Sequence, residues 1–116
     1  MMAIRILYLD DNPKHFQLLT LGLKNNGFDV SIVSTYEDAV ELHNSGAQFD
    51  VYLLDLQLGG PETGMDFATR IRDDGCEKPI MIYTGAPEKA IGRDDVIIRG
   101  KDEDIRVIID ILKQVA

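Results

Sequence analysis

The chain has 116 residues, enough for one compact domain and too few for two independent cores. Its composition is 45% hydrophobic and 28% charged, with 4 Pro and 10 Gly, which supports a buried core and excludes a disordered chain. The net charge of −8 repels phosphate backbones and anionic lipid, so direct binding to nucleic acid or a membrane surface is not expected, while an acidic site suits a divalent cation. Cys76 is the only cysteine, which rules out an intramolecular disulfide. No apolar stretch near the start is long enough for a signal peptide or membrane span, and the expected compartment is cytoplasmic.

Ile4 to Leu9 is short, apolar and rich in branched residues, as expected of a strand buried on both faces of a parallel sheet. Asp10-Asp11-Asn12-Pro13 breaks it, and Pro13 can open a helix in which Phe16, Leu19 and Leu23 recur with helical spacing until Asn25-Asn26-Gly27. Phe28 to Val33 reads as a second strand, with Ser34 and Thr35 as cap candidates for a helix over Tyr36 to Asn44. Val51 to Leu54 is a third strand ending in Asp55. The glycine-rich loop after it (Gly59, Gly60, Gly64) leads to a helix that turns Met65, Ala68 and Ile71 inward.

Ile80 to Tyr83 forms the fourth strand, and only a stub of helix around Pro87 to Ile91 fits before a fifth strand at Val96-Ile97-Ile98. Asp102 to Val115 completes the pattern as the last helix, with Ile105, Ile108, Ile109 and Leu112 facing the core. A second stripe, Val107, Ile111 and Val115, lies away from that face and suggests a homodimer or effector contact. Strands alternating with helices imply an α/β fold: a flavodoxin-like, doubly wound, five-stranded parallel sheet of the (βα)5 type.

Open parallel sheets bind ligands beyond the carboxyl ends of their strands. The residues there are Asp10 and Asp11 after the first strand, Asp55 after the third, Thr84 after the fourth and Arg99 after the fifth. Clustered carboxylates in a partly desolvated cleft repel one another unless a cation joins them, and oxygen ligands of this kind suit Mg²⁺. An Asp carboxylate can attack phosphorus once metal reduces the charge repulsion, while Thr84 and Arg99 can bind phosphoryl oxygens. Asp10-Asp11 alone would pass for an acidic loop or a helix cap; the full set at strand ends is what carries the chemistry.

The constellation resembles the receiver domains of two-component response regulators over essentially residues 1–116. The motifs are Ile6-Leu7-Tyr8-Leu9-Asp10-Asp11, Val51-Tyr52-Leu53-Leu54-Asp55-Leu56 and Ile80-Met81-Ile82-Tyr83-Thr84-Gly85-Ala86. The resemblance implies that Asp55 is the phosphoacceptor, that Asp11 and Asp55 bind Mg²⁺ directly with Asp10 assisting, and that the backbone carbonyl of Gln57 completes the protein ligands. It further implies a histidine kinase or phosphotransfer protein as phosphoryl source, and no enzyme activity beyond the domain's own phosphorylation and dephosphorylation.

Several positions depart from that family's pattern. A Lys-Pro pair usually follows the fifth strand, whereas the alignment places Arg99-Gly100 there, with Lys101 as the alternative cation. An aromatic residue three positions before that lysine becomes Val96, the fourth helix is short, and Gly59 replaces a usual Pro. Gln57 borders the path of attacking water. These departures favour, as the alternative function, a pseudo-receiver acting as a phosphorylation-independent interaction module. A hydrolase is disfavoured because Asn12 stands where the common phosphatase pattern needs a second Asp, and a flavin site because no phosphate-cradling loop follows the first strand. His15, His43 and Cys76 have no assigned role.

Overall fold

In the computed structural model, residues 3–116 are described, with the side chains of residues 13–16 set apart; the expectations for Pro13, His15 and Phe16 side chains lie outside the described residues. The strands are β1 (Ile4–Leu9), β2 (Phe28–Val33), β3 (Val51–Leu54), β4 (Ile80–Thr84) and β5 (Ile97–Gly100). The helices are α1 (Pro13–Asn25), α2 (Tyr36–Asn44), α3 (Gly64–Asp73) and α4 (Ile105–Val115). All pairings are parallel, in the order β2-β1-β3-β4-β5. This is the flavodoxin-like doubly wound sheet that the alternation of elements predicts.

Strand alternation divides the core into two layers. On one face Leu7, Leu9, Tyr52, Leu54, Ile80 and Ile82 pack with Ala39 of α2 and Phe67, Ala68 and Ile71 of α3. On the other, Ile6, Tyr8, Leu53, Met81 and Tyr83 pack with Leu19 and Leu23 of α1 and Ile108, Ile109 and Leu112 of α4. Helix starts follow local chemistry. Thr35 caps α2 by accepting from the Asp38 amide, and Thr63 and Asp66 form a reciprocal capping box on α3.

The stub of helix expected around Pro87 to Ile91 is a single 3-10 turn at Pro87–Lys89, so the described residues hold four α-helices, and expectations are corrected at the last helix and at β5. The chain from Ala90 to Val96 runs as an irregular strap tied to α3. Arg72 holds it there, donating from Nη1 to the carbonyls of Cys76 (2.9 Å) and Lys78 (2.8 Å) and from Nη2 to that of Asp95 (2.8 Å). One guanidinium fork thus ties the Asp95 carbonyl of the strap to two carbonyls of the loop between α3 and β4, and satisfies all three.

The last helix starts at Ile105, because Asp104 caps it through the Arg106 amide and residues 101–103 form a turn. Its second apolar stripe is narrower than the spacing suggests: Val107 is 45% and Val115 36% exposed, but Ile111 is half-buried against the core.

β5 also extends two residues further than expected. Tyr83 pairs with Arg99 and Thr84 with Gly100, so Lys101, not Arg99, stands at the end of the strand.

Candidate functional site

The strand order reverses between β1 and β3, and helices α1 and α3 leave on opposite faces there. This opens a crevice at the carboxyl ends of the strands. Hydrogen bonds to the neighbouring strand fix both acidic positions. The Asp10 amide donates to the Val33 carbonyl (3.1 Å) and the Asp55 amide to the Leu9 carbonyl (2.7 Å). Asp10 is fully buried, Asp55 nearly so, and Asp11 is exposed at the mouth.

One carboxylate oxygen from each of Asp10, Asp11 and Asp55 lies within 4.8 Å of the other two. Hard oxygen ligands at that spacing fit a small divalent cation such as Mg²⁺, with sites left for water and phosphoryl oxygen. Gln57 lines the same cleft. The loop that carries it is tightly shaped: a Cβ at Gly64 would overlap the Asp55 carbonyl oxygen, so only glycine lets α3 begin directly beneath the acidic residue. Gly59, at φ +74°, sits against Asp11, where a Cβ would approach Oδ2 at 3.1 Å.

The cation of the site is Lys101. Its Nζ lies 3.1 Å from Asp10 Oδ2 and 3.4 Å from Asp55 Oδ2, with the amine 5.8 Å from the centre of the Tyr83 ring. Arg99, the favoured candidate from sequence, turns instead to Glu103 (Nη1 to Oε1, 3.0 Å). The physical reason is the longer strand. Arg99 still belongs to the ladder opposite Tyr83, whereas Lys101 has passed the strand end, its amide bonded to the Thr84 carbonyl (2.9 Å), and its flexible stem reaches into the crevice.

Thr84 is buried at the end of β4 as expected, its Oγ1 accepting from the Ala86 amide (3.1 Å). Tyr8 was not anticipated as a site residue: its hydroxyl donates to Asp10 Oδ2 (3.2 Å). Period-two alternation, which puts residues 8 and 10 on one face of β1, is the signal that could have found it. Asp10 Oδ1 accepts from the Asn12 amide (2.9 Å), so the buried carboxylate is bonded at both oxygens.

Burial pushes the Asp55 carboxyl up from the ordinary 3.8 to about 6, and Asp10 adds to the rise. The Lys101 ammonium and a hydrogen bond from the Gln57 backbone act against it. The Tyr8 hydroxyl is raised by burial and then by the adjacent Asp10 charge. His43 is remote from this cleft, paired with Asp74 (2.8 Å) and set edge-on to Phe67. A second cleft, lined by Cys76, Phe49 and Asp74, brings together no comparable cluster of acidic groups among the described residues.

Comparison with known proteins agrees with this geometry. Residues 6–109 match the family model described as the response regulator receiver domain. The chain is 34% identical over 86 residues, 73% of its length, to the cell cycle transcriptional regulator CtrA of Caulobacter vibrioides, covering 36% of that protein. It is 30% identical over 105 residues to the regulatory protein VanR of Enterococcus faecium, covering 84% of this chain and 44% of VanR. It thus spans less than half the length of these curated relatives. Among solved structures, a response regulator receiver protein from Sinorhizobium medicae superposes with a TM-score of 0.84 at 25% identity, over 97% of this chain and 94% of that one.

The fold and the acidic crevice define a signalling module of two-component systems. The chain belongs to the response regulator receiver domain family.

Proposed function

We propose that this chain is a phosphoacceptor, modified reversibly on Asp55 with Mg²⁺ and presenting a changed protein-binding surface in consequence. The observation that carries the reading is the placement of Asp55 at the end of β3, clustered with Asp10 and Asp11 and 3.4 Å from Lys101 Nζ. Mg²⁺ held by Asp10, Asp11, Asp55 and the Gln57 backbone carbonyl would supply charge neutralisation between carboxylate and phosphoryl group.

The chain's own groups do the rest. An ionised Asp55 oxygen attacks phosphorus, and the bond to the donor's leaving oxygen or imidazole nitrogen breaks with its electron pair. Burial raises this carboxyl to about 6 in the metal-free site, and a cation bound beside it would favour the ionised, reactive form. Lys101 balances the charge of Asp10 and Asp55 before attack and is within reach of the incoming phosphoryl oxygens. Thr84 stands across the crevice with its hydroxyl as donor once it turns from the Ala86 amide. The domain would catalyse only its own phosphorylation and dephosphorylation, with a histidine kinase or phosphotransfer protein as donor in the cytoplasm. No helix among the described residues is long and apolar enough to cross a membrane.

Lys101 in the crevice weighs against the pseudo-receiver alternative by removing one of its grounds, Arg99 in place of the usual lysine, while the short fourth helix remains. It also moves the position three residues before the cation from Val96 to Ile98, an aliphatic side chain packed against the α2/α3 layer. Readout through an aromatic residue at that position is therefore not part of the reading. A homodimer or effector contact through α4 would use Val107 and Val115; sedimentation of the chain and of Val107→Asp, with and without a phosphoryl mimic, tests it. The phosphoacceptor reading itself is tested by incubating the chain with Mg²⁺ and acetyl phosphate and measuring intact mass beside Asp55→Asn. A phosphoryl adduct in the first and none in the second is the expected result; an adduct in both, or in neither, overturns it.

A further inference from the structure

The loop that delivers Lys101 runs Gly100-Lys101-Asp102-Glu103, with no proline to stiffen it and a glycine, the most permissive residue, at its start. Lysine carries its charge on a flexible four-carbon stem, so where Nζ comes to rest depends on how well the backbone beneath it is held. Here one residue closes the loop from both sides. The Glu103 carboxylate accepts from the Gly100 amide (Oε2, 2.9 Å) and from Arg99 Nη1 (Oε1, 3.0 Å), while the Glu103 amide donates back to the Gly100 carbonyl (3.1 Å).

Lys101 lies inside this closed turn, its own amide tied to the Thr84 carbonyl. Its backbone is therefore bracketed between β4 on one side and Glu103 on the other. Gly100 fits closely: a Cβ there would come within 2.5 Å of Asp102 Oδ1. Hydrogen bonds from the Gly100 amide and then from Arg99 hold the Glu103 carboxyl below its ordinary range, which keeps it ionised as an acceptor for both.

We propose that Glu103 is a positioning residue for Lys101, anchored by Arg99, and that Arg99 serves the site through this pair and not by touching the phosphoryl group. This inference rests on the reading of Asp55 as phosphoacceptor. It differs from a plain surface ion pair, which would contribute only to stability and little even to that. The distinguishing consequence is that Glu103 matters to the chemistry only while Lys101 is there to be positioned.

The test uses the full chain as wild type, Glu103→Ala, Glu103→Gln, Lys101→Ala and the Lys101→Ala/Glu103→Ala double variant. Two quantities are read: the rate of acetyl-phosphate-dependent adduct formation by intact mass, and the rate of amine labelling at Lys101 by peptide mass, with Lys113 as an exposed reference. Glu103→Ala is expected to slow adduct formation about 5-fold, with no further loss in the double variant beyond Lys101→Ala alone. Glu103→Gln, which keeps an oxygen acceptor for the Gly100 amide, should recover most of the rate. Labelling of Lys101 should accelerate in Glu103→Ala while that of Lys113 is unchanged. Losses that add in the double variant, or Lys101 labelling at the wild-type rate in Glu103→Ala, overturn the proposal. If the wild type forms no adduct yet Glu103→Ala exposes Lys101 to labelling, the phosphoacceptor reading fails and the positioning role stands.

Discussion

Replacing Asp55 with Asn should stabilise the metal-free protein, and the gain should depend on pH in a defined direction. Asp55 is nearly buried and shares its crevice with Asp10, so its carboxyl is raised from 3.8 to about 6 even with Lys101 beside it. Each tenfold change in proton affinity corresponds to about 1.4 kcal/mol, which sets a ceiling of about 3 kcal/mol on the cost of ionising this group in the fold. Coupling to Asp10 and Lys101 trims the expectation to about 1–3 kcal/mol. Between pH of about 4 and 6 the folded state holds the Asp55 proton and the unfolded state has released it. Stability from this group is therefore fully present below about 4 and is lost as pH rises through 6. Urea unfolding of wild type and Asp55→Asn in the presence of a chelator, at intervals from pH 4.5 to 7.5, isolates the effect of this coupled cluster, because titrations elsewhere in the chain cancel in the difference. The variant should be the more stable protein at pH 7.5, with the gap closing towards pH 4.5. A gap that does not change with pH, or a less stable variant at pH 7.5, would refute the argument that burial strains this carboxylate.

Three further outcomes follow from the geometry. Mg²⁺ at 100 times its dissociation constant should stabilise the wild type by about 2.7 kcal/mol in a thermal melt. Asp11→Asn, at an exposed position, should lose most of that gain while melting normally without metal. Gly64→Ala should cost about 1–3 kcal/mol in urea unfolding, because its Cβ meets the Asp55 backbone carbonyl and α3 must shift. Arg72→Ala leaves the Cys76, Lys78 and Asp95 carbonyls without their charged donor, and should raise hydrogen exchange in the 90–96 strap far more than in β3.

Most of the architecture was legible before any coordinates, for a local reason. In a parallel sheet buried on both faces, strands read as unbroken apolar runs, and Asp10, Asp55 and Thr84 terminate three of them where ligands bind. β2 and α2 are equally plain, bounded by Gly27, Thr35 and Ser45. Phe67 was less visible. It shares a buried face with Met65, Ala68 and Ile71, but α3 packs against both the sheet and α2, so its apolar face is wider than a single stripe, and Tyr36 and His43 meet Phe67 edge-on.

The end of β5 could not be read in the same way. Ile97-Ile98 gives the apolar signal and then stops, yet the ladder continues through Arg99 and Gly100 because their backbones pair with Tyr83 and Thr84. Hydrogen bonding between strands is indifferent to side-chain polarity, so no local pattern marks where such a strand ends. That register decides which cation enters the crevice, and with it the exchange of Arg99 for Lys101. The fate of the shortened fourth helix was likewise tertiary, since its strap is held by Arg72, a residue of α3 far away in sequence. The sequence by itself determined the sheet, its two core layers and the acidic cluster, all built from runs of neighbouring residues. Only the tertiary structure decided the site's cation and the turn that aims it, because those depend on partners that backbone pairing brings together.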